Sequence, residues 1–146
     1  MLDISKEREL VKAAIEASKN SYSPYSNFRV GAAILCEDGT VFTGANVENA
    51  SYGAGICAER SAAVKAVSEG NKNFKAVAIF GSPKGAIGDE LQYAFPCGIC
   101  RQFLNEFSDE DMVVLVGKTE DDYKKFLLKE LLPESFGPKD LNMEEI

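Results

Sequence analysis

Cys57-Ala58-Glu59-Arg60-Ser61-Ala62-Ala63-Val64-Lys65-Ala66-Val67-Ser68-Glu69-Gly70 reads as a helix that opens on a cysteine and stops at a glycine. Ala62, Ala63, Val64, Ala66 and Val67 supply its packing side chains, and Gly70 suits the position just past its end. Working upstream, residues 28–36 read as a strand, Asp38-Gly39 marks a turn, and residues 41–44 return as a second strand, so this pair is an antiparallel hairpin. Downstream, residues 74–80 form an apolar run of strand length. A Gly-rich loop over 81–90 follows, and Pro96 opens a second helix from Cys97 to about residue 107. Residues 112–117 read as a buried strand, 123–127 as a last strand, and 129–132 as a short helical piece ended by Pro133. At the start of the chain, Leu10, Val11, Ala14, Ile15 and Ala17 recur at helical spacing, which predicts a helix over 5–20 with Ser5 as its cap.

The order is α-β-β-α-β-α-β-β-α. Its strand-helix-strand-helix-strand middle predicts a parallel core with right-handed crossovers, and the opening hairpin adds antiparallel pairing. The fold class expected is therefore α/β, with three α-β-α layers and a mixed sheet of about five strands. No repeat, linker or low-complexity block divides residues 1–146, so a single domain is expected.

The net charge of −7 argues against a general nucleic-acid surface, which needs clustered Lys and Arg. No segment approaches the ~18 consecutive apolar residues of a membrane span. The first residues are charged and lack an apolar signal core, so a reducing cytosol is the expected compartment, with access to a nucleus left open. Four cysteines there read as metal-binding or catalytic rather than as a disulfide frame. Cys36, inside the apolar run Val30-Gly31-Ala32-Ala33-Ile34-Leu35-Cys36, is expected to be a buried core thiol. The acidic end at 143–146 is expected to be frayed.

The chain has no histidine, which removes imidazole both as a base and as a ligand. Cys97-Gly98-Ile99-Cys100 presents two sulfurs from one helical turn, and Cys57 offers a third if the fold brings it near. Three protein ligands leave one position of a tetrahedral zinc open to water. Glu59 lies two residues past Cys57, close enough to share the site without coordinating. Both segments begin helices, whose positive ends favour thiolates. Three thiolates on one ion carry excess negative charge, and Arg60 is the expected offset, with Arg101 behind it. On these residues alone, a closed structural zinc site or a redox Cys-x-x-Cys remains open as a reading.

Cys57-Ala58-Glu59-Arg60 together with Pro96-Cys97-Gly98-Ile99-Cys100-Arg101-Gln102 resembles the signature of the zinc-dependent cytidine deaminase family, in its Cys₃ variant. Ser23-Pro24-Tyr25-Ser26-Asn27-Phe28-Arg29-Val30-Gly31 resembles that family's first loop and strand. Thr43-Gly44-Ala45-Asn46-Val47-Glu48-Asn49-Ala50-Ser51-Tyr52 resembles its nucleoside-binding strand, and Leu131-Leu132-Pro133-Glu134-Ser135-Phe136-Gly137-Pro138 its C-terminal motif. The similarity spans roughly 21–138.

The resemblance implies one Zn²⁺ per subunit on Cys57, Cys97 and Cys100, and Glu59 as the proton shuttle. It implies Asn46 and Glu48 on the ribose hydroxyls, Phe28 against the pyrimidine, and the backbone at Cys57 and Ala58 on the base edge. It also implies a homotetramer with shared sites, in which Phe136 and Tyr52 of neighbouring chains help complete each pocket. The activity implied is hydrolytic deamination of cytidine and deoxycytidine to uridine and deoxyuridine, a step of pyrimidine salvage. The alternatives are the same zinc chemistry on another aminated base, such as blasticidin S or RNA cytosine, and a zinc-stabilised module without catalysis. Asn46-Val47-Glu48 and Ser135-Phe136-Gly137 favour the free nucleoside over blasticidin S, and the acidic balance disfavours RNA.

Overall fold

The computed structural model describes residues 2–143, at position 110 by its backbone alone. Of the acidic end at 143–146, expected to be frayed, residues 144–146 lie outside the described residues. The chain runs α1 (Ile4–Ser18), β1 (Phe28–Cys36), β2 (Val41–Ala45), α2 (Ala58–Ser68), β3 (Phe74–Pro83), α3 (Gly98–Asn105), β4 (Ser108–Thr119), β5 (Asp122–Leu127) and α4 (Leu128–Leu131). This is the element order expected from the sequence.

The strands form one sheet in the order β2-β1-β3-β4-β5. β1 pairs antiparallel with both β2 and β3, β3 pairs parallel with β4, and β4 pairs antiparallel with β5. The expected parallel core is thus corrected to a single parallel pair. β2, β3 and β4 do point the same way, but β1 is inserted between β2 and β3. A tight hairpin, closed by Gly39 at φ 92°, keeps β1 beside β2. The nine-residue β1 then has a second edge, which β3 occupies along its length.

Alternation along the strands divides the core into two layers. Ala33 and Leu35 of β1, Ala76, Ala78 and Phe80 of β3, and Leu115 of β4 face α1 through Leu10, Val11 and Ala14. Ala32, Ile34 and Cys36, Val77 and Ile79, and Val114 and Val116 face α2 and α3 through Ala58, Ala62, Ala66 and Leu104. Period-two side-chain placement sends neighbours to opposite faces, so each central strand is buried on both. The α-β-α layering follows. Cys36 is buried in the second layer, as its apolar run predicts.

The cap of α1 is Asp3 rather than Ser5: an Asp3 carboxylate oxygen accepts from the Lys6 amide at 2.8 Å. A carboxylate at the N-cap, directly before the free amides of the first turn, also complements the helix dipole. Further along α1, the buried Glu7 pairs with Lys125 Nζ at 2.6 Å and accepts from the Tyr123 hydroxyl at 2.8 Å. This ties the helix to β5.

Two glycines set how closely helices approach the sheet. At Gly31 a Cβ would collide with the backbone of α1 at Ala14 and Ser18. At Gly44 a Cβ would lie 2.5 Å from the Ala62 amide nitrogen and 2.9 Å from the Ala58 carbonyl. The first turns of α2 therefore rest directly on β2. Gly44→Ala is expected to push α2 outward and lower stability by about 1–3 kcal/mol. Urea denaturation checks this as a lower midpoint at an unchanged slope.

Candidate active site

Cys57 and Cys97 occupy equivalent places, each in extended conformation at the N-cap of its helix, α2 and α3 respectively. Neither thiol caps its own helix, so both sulfurs are free for other partners. Cys100 follows in the first turn of α3. The three sulfurs lie within 4.8 Å of one another, and Cys57 Sγ is 3.8 Å from Cys97 Sγ. A disulfide needs about 2.05 Å, so the thiols are not bonded. Tetrahedral coordination with metal–sulfur bonds of about 2.3 Å sets neighbouring sulfurs roughly 3.8 Å apart. The spacing is therefore that of ligands around one ion. Among the described residues, no other group of three Cys, Asp or Glu side chains converges in this way.

The electrostatics already favour a thiolate. Cys57 is held down to about 5 by a hydrogen bond from Cys100 and by the Arg60 guanidinium, against the upward effect of burial. Cys100 moves the other way, because it keeps the shared proton and is itself buried. Arg60 Nη2 lies 3.7 Å from Cys57 Sγ, the contact expected of a charge offset. Arg101 does not share that role. Its guanidinium donates to the Pro96 carbonyl and the Leu131 carbonyl, both at 2.8 Å, and so fastens α3 to its entry loop and to the end of α4. Its spacing from Cys100 suggested a neighbour of the sulfurs, but successive helical residues face different directions.

Glu59 is 4% exposed, and burial first, then the negative charge of Cys57, pushes its carboxyl up to about 7. A carboxyl poised there can both accept and return a proton near neutrality. It opens onto a cleft of about 630 Å³, whose lining includes Phe28, Asn46, Glu48, Tyr52, Ala58 and Cys97. The predicted residues Phe28, Asn46, Glu48, Tyr52, Ala58, Glu59, Arg60, Cys57 and Cys97 all line this cleft, and Cys100 lies behind it within the sulfur group.

Asn46 and Glu48, the polar residues that follow β2, are held by backbone groups and serine hydroxyls of the loop before β1 and of β1 itself. The Asn46 side-chain oxygen accepts from the Val30 amide at 2.9 Å and from the Ser21 hydroxyl, while its amide nitrogen donates to the Phe28 carbonyl at 2.9 Å. One N–H of Asn46 remains uncommitted. Glu48 accepts from the Tyr25 and Ser26 amides at 3.0 and 3.1 Å and from the Ser26 hydroxyl. These hydrogen bonds hold its carboxyl below the ordinary range, the Ser26 hydroxyl contributing most. By linkage, the stability they confer is full above the unfolded value of 4.5 and is lost as pH falls through the lower folded value. Isolated bridges join Tyr22 to Val47 and Val47 to Ile56, so this stretch is fixed to the residue before Cys57.

Phe28 lies over Gly81 of β3, where a Cβ would come within 2.9 Å of the ring. Tyr52 stands at the rim of its own chain's cleft, with its ring 5.9 Å from that of Tyr25. Phe136 does not line this cleft. Gln102 and Asn105 of α3 donate to its carbonyl at 2.9 and 3.3 Å, and its side chain is exposed. The sequence reading passed over Ser26, which is in contact with Glu48, and Phe95, which lines the cleft and packs on Phe126. The first had a signal in the loop motif around Pro24. The second was indicated only by an aromatic directly before Pro96.

A family model described as the cytidine and deoxycytidylate deaminase zinc-binding region matches residues 4–116. A cytidine deaminase of Halalkalibacterium halodurans is 44% identical over 91% of this chain and 96% of its own. A probable cytidine deaminase of Dictyostelium discoideum is also 44% identical, over 92% of this chain and 88% of its own. Among solved structures, the cytidine deaminase of Burkholderia pseudomallei superposes with a TM-score of 0.77 at 40% identity, covering 88% of this chain and 97% of that one. That of Mycobacterium tuberculosis gives 0.75 at 35%, covering 94% and 99%. Similarity of this extent, over a chain whose own geometry brings three sulfurs and a buried carboxylate to one cleft, makes it an enzyme belonging to the cytidine and deoxycytidylate deaminase family.

Proposed function

We propose that this enzyme is a zinc-dependent hydrolase that converts cytidine and deoxycytidine to uridine and deoxyuridine with release of ammonia, serving pyrimidine salvage in the cytoplasm. The observation that carries the reading is the pairing of the buried Glu59 with the three-sulfur group at the same cleft that Phe28, Asn46 and Glu48 line. Three sulfurs are a soft donor set that suits zinc. Cys57, Cys97 and Cys100 would hold one ion per subunit. When bound, zinc on three protein ligands leaves a position for water and lowers that water's pKa from ~15.7 toward ~7.

The chain's own residues supply the rest. Glu59 takes the proton released by the attacking water and delivers it to N3 of the base, then serves the departing amino group at C4. Water and cytidine thus become uridine and ammonia, with one carboxylate acting first as base and then as acid. Phe28 offers its ring to the pyrimidine face. The first amides of α2, at Ala58 and the neighbouring positions, have no partner within the helix and suit the base edge. Asn46 has one free N–H and Glu48 one free lone-pair position for ribose hydroxyls.

The lining charges support a nucleoside over a nucleotide. Arg60 is the cation among the described cleft-lining residues, and it is turned toward Cys57, while Glu48 and Glu59 are acidic. A phosphate would meet repulsion there. Phe136, exposed and outside its own cleft, fits the proposed homotetramer in which it reaches a neighbour's site. Ammonia release should be high with cytidine and deoxycytidine, and lower by at least roughly tenfold with the 5′-monophosphate, blasticidin S or single-stranded RNA. Zinc content measured beside turnover completes the test: a protein that holds zinc but releases no ammonia from cytidine would overturn the reading in favour of a non-catalytic module.

A further inference from the structure

We propose that Ser26 is a positioning residue that aims Glu48 at a substrate sugar hydroxyl and sets the distance between the sugar and base subsites. The inference rests on the nucleoside reading and names how one of its subsites is built. A serine hydroxyl has one proton to give and lone pairs to accept with. Ser26 Oγ accepts from the Phe28 amide at 3.0 Å and gives its proton to Glu48 Oε2. The other carboxylate oxygen, Oε1, is already taken by the Tyr25 and Ser26 amides. An ionised carboxylate offers about four acceptor positions. The loop fills three, and the remaining one is on Oε2.

Two consequences follow from that arrangement. Glu48 is left able to accept one further hydrogen bond and unable to donate any, so it selects a neutral hydroxyl and rejects an ionised phosphate. The same Ser26 oxygen also touches the backbone of Phe28, whose ring lines the cleft. One hydroxyl thus fixes the sugar acceptor relative to the ring offered to the base. The leading part of Ser26 in keeping Glu48 ionised agrees with this role. Ser26 and Glu48 belong to separate segments, 22 residues apart, which are joined by the Tyr22–Val47 bridge and by Asn46 on the backbone of Phe28 and Val30.

The test compares steady-state kinetics of the zinc-loaded wild type, Ser26→Ala and Ser26→Thr on cytidine and on 2′,3′-dideoxycytidine, which lacks the sugar hydroxyls at issue. Ser26→Ala should raise KM for cytidine roughly tenfold with kcat nearly unchanged, the size of one lost hydrogen bond to a charged group. Its KM for the dideoxynucleoside should stay near that of the wild type, and Ser26→Thr should restore the cytidine value. Equal increases in KM for both nucleosides would mean that the loop has only been loosened, and would overturn the proposal, as would an unchanged KM for cytidine. A wild-type enzyme that releases no ammonia from cytidine would instead sink the nucleoside reading, and this inference with it. Thermal melting of both variants confirms that they are folded.

Discussion

Glu59→Ala is expected to retain bound zinc and lose turnover of cytidine by about 10⁴-fold, the upper range for a positioned acid–base group. The size follows from the number of proton movements assigned to one carboxylate. Among the described cleft-lining residues, the other acidic groups are Glu48, the thiols of Cys57 and Cys97, and the phenols of Tyr25 and Tyr52, whose rings pack on each other at the exposed rim. Glu48 is committed to Tyr25 and Ser26, and the thiols belong to the sulfur group that would hold the metal. No imidazole exists to take over, since the chain has no histidine. Metal should be retained because the sulfur group is complete without the carboxylate. Metal analysis and ammonia release on the same preparation separate the two properties. Wild-type turnover in the alanine variant would remove Glu59 from the mechanism.

The second large effect is expected at Cys97. Cys97→Ala should bring metal content close to zero and lower the melting temperature of the protein prepared with zinc. Binding to the folded state alone stabilises it by about 2.7 kcal/mol when free metal is a hundred times its dissociation constant. For a domain of this size, losing that linkage lowers Tm by roughly 10 °C. Cys97 lies at the N-cap of α3, is exposed, and makes no cap hydrogen bond, so the substitution removes little else. The control is chelation. Stripping the wild type of metal should lower its Tm to about that of the variant, and the variant should not respond. A variant that binds zinc as well as the wild type would exclude Cys97 as a ligand.

The sequence was most informative where function depends on residues close together along the chain. Cys97-x-x-Cys100 and Cys57-x-Glu59 each occupy one helical turn, so their mutual geometry is settled locally once the helix forms. The same holds for the element order, which depends on apolar periodicity and on Gly and Pro punctuation. It holds for Arg60 as well, three residues past Cys57 and hence on the same face of α2. Local competition misled the reading at the start of α1. Both Asp3 and Ser5 are good caps, and the helix begins early enough for Asp3 to be used.

Long-range closure decided the rest. Whether Cys57 joins Cys97 and Cys100 depends on α2 and α3 packing on one face of the sheet, which in turn needs β2 and β3 to point the same way. The insertion of β1 between them is a matter of which strand edges are free, and periodicity carries no information on that. Arg101 illustrates the limit: Cys100 of the sulfur group is its neighbour in sequence, yet its partners are the carbonyls of Pro96 and Leu131. The placement of Phe136 on the outer side of α3 was likewise invisible to spacing. Residue types and local spacing alone set out the chemistry at hand: a Cys-x-x-Cys pair, a third thiol two residues before a carboxylate, and no imidazole. Long-range packing is what brings the thiols together, buries Glu59 with its carboxyl held near neutrality, and sets Ser26 against Glu48. Reactive groups are a property of residue type, whereas their distances and solvation are set by segments that contact one another far apart in the chain.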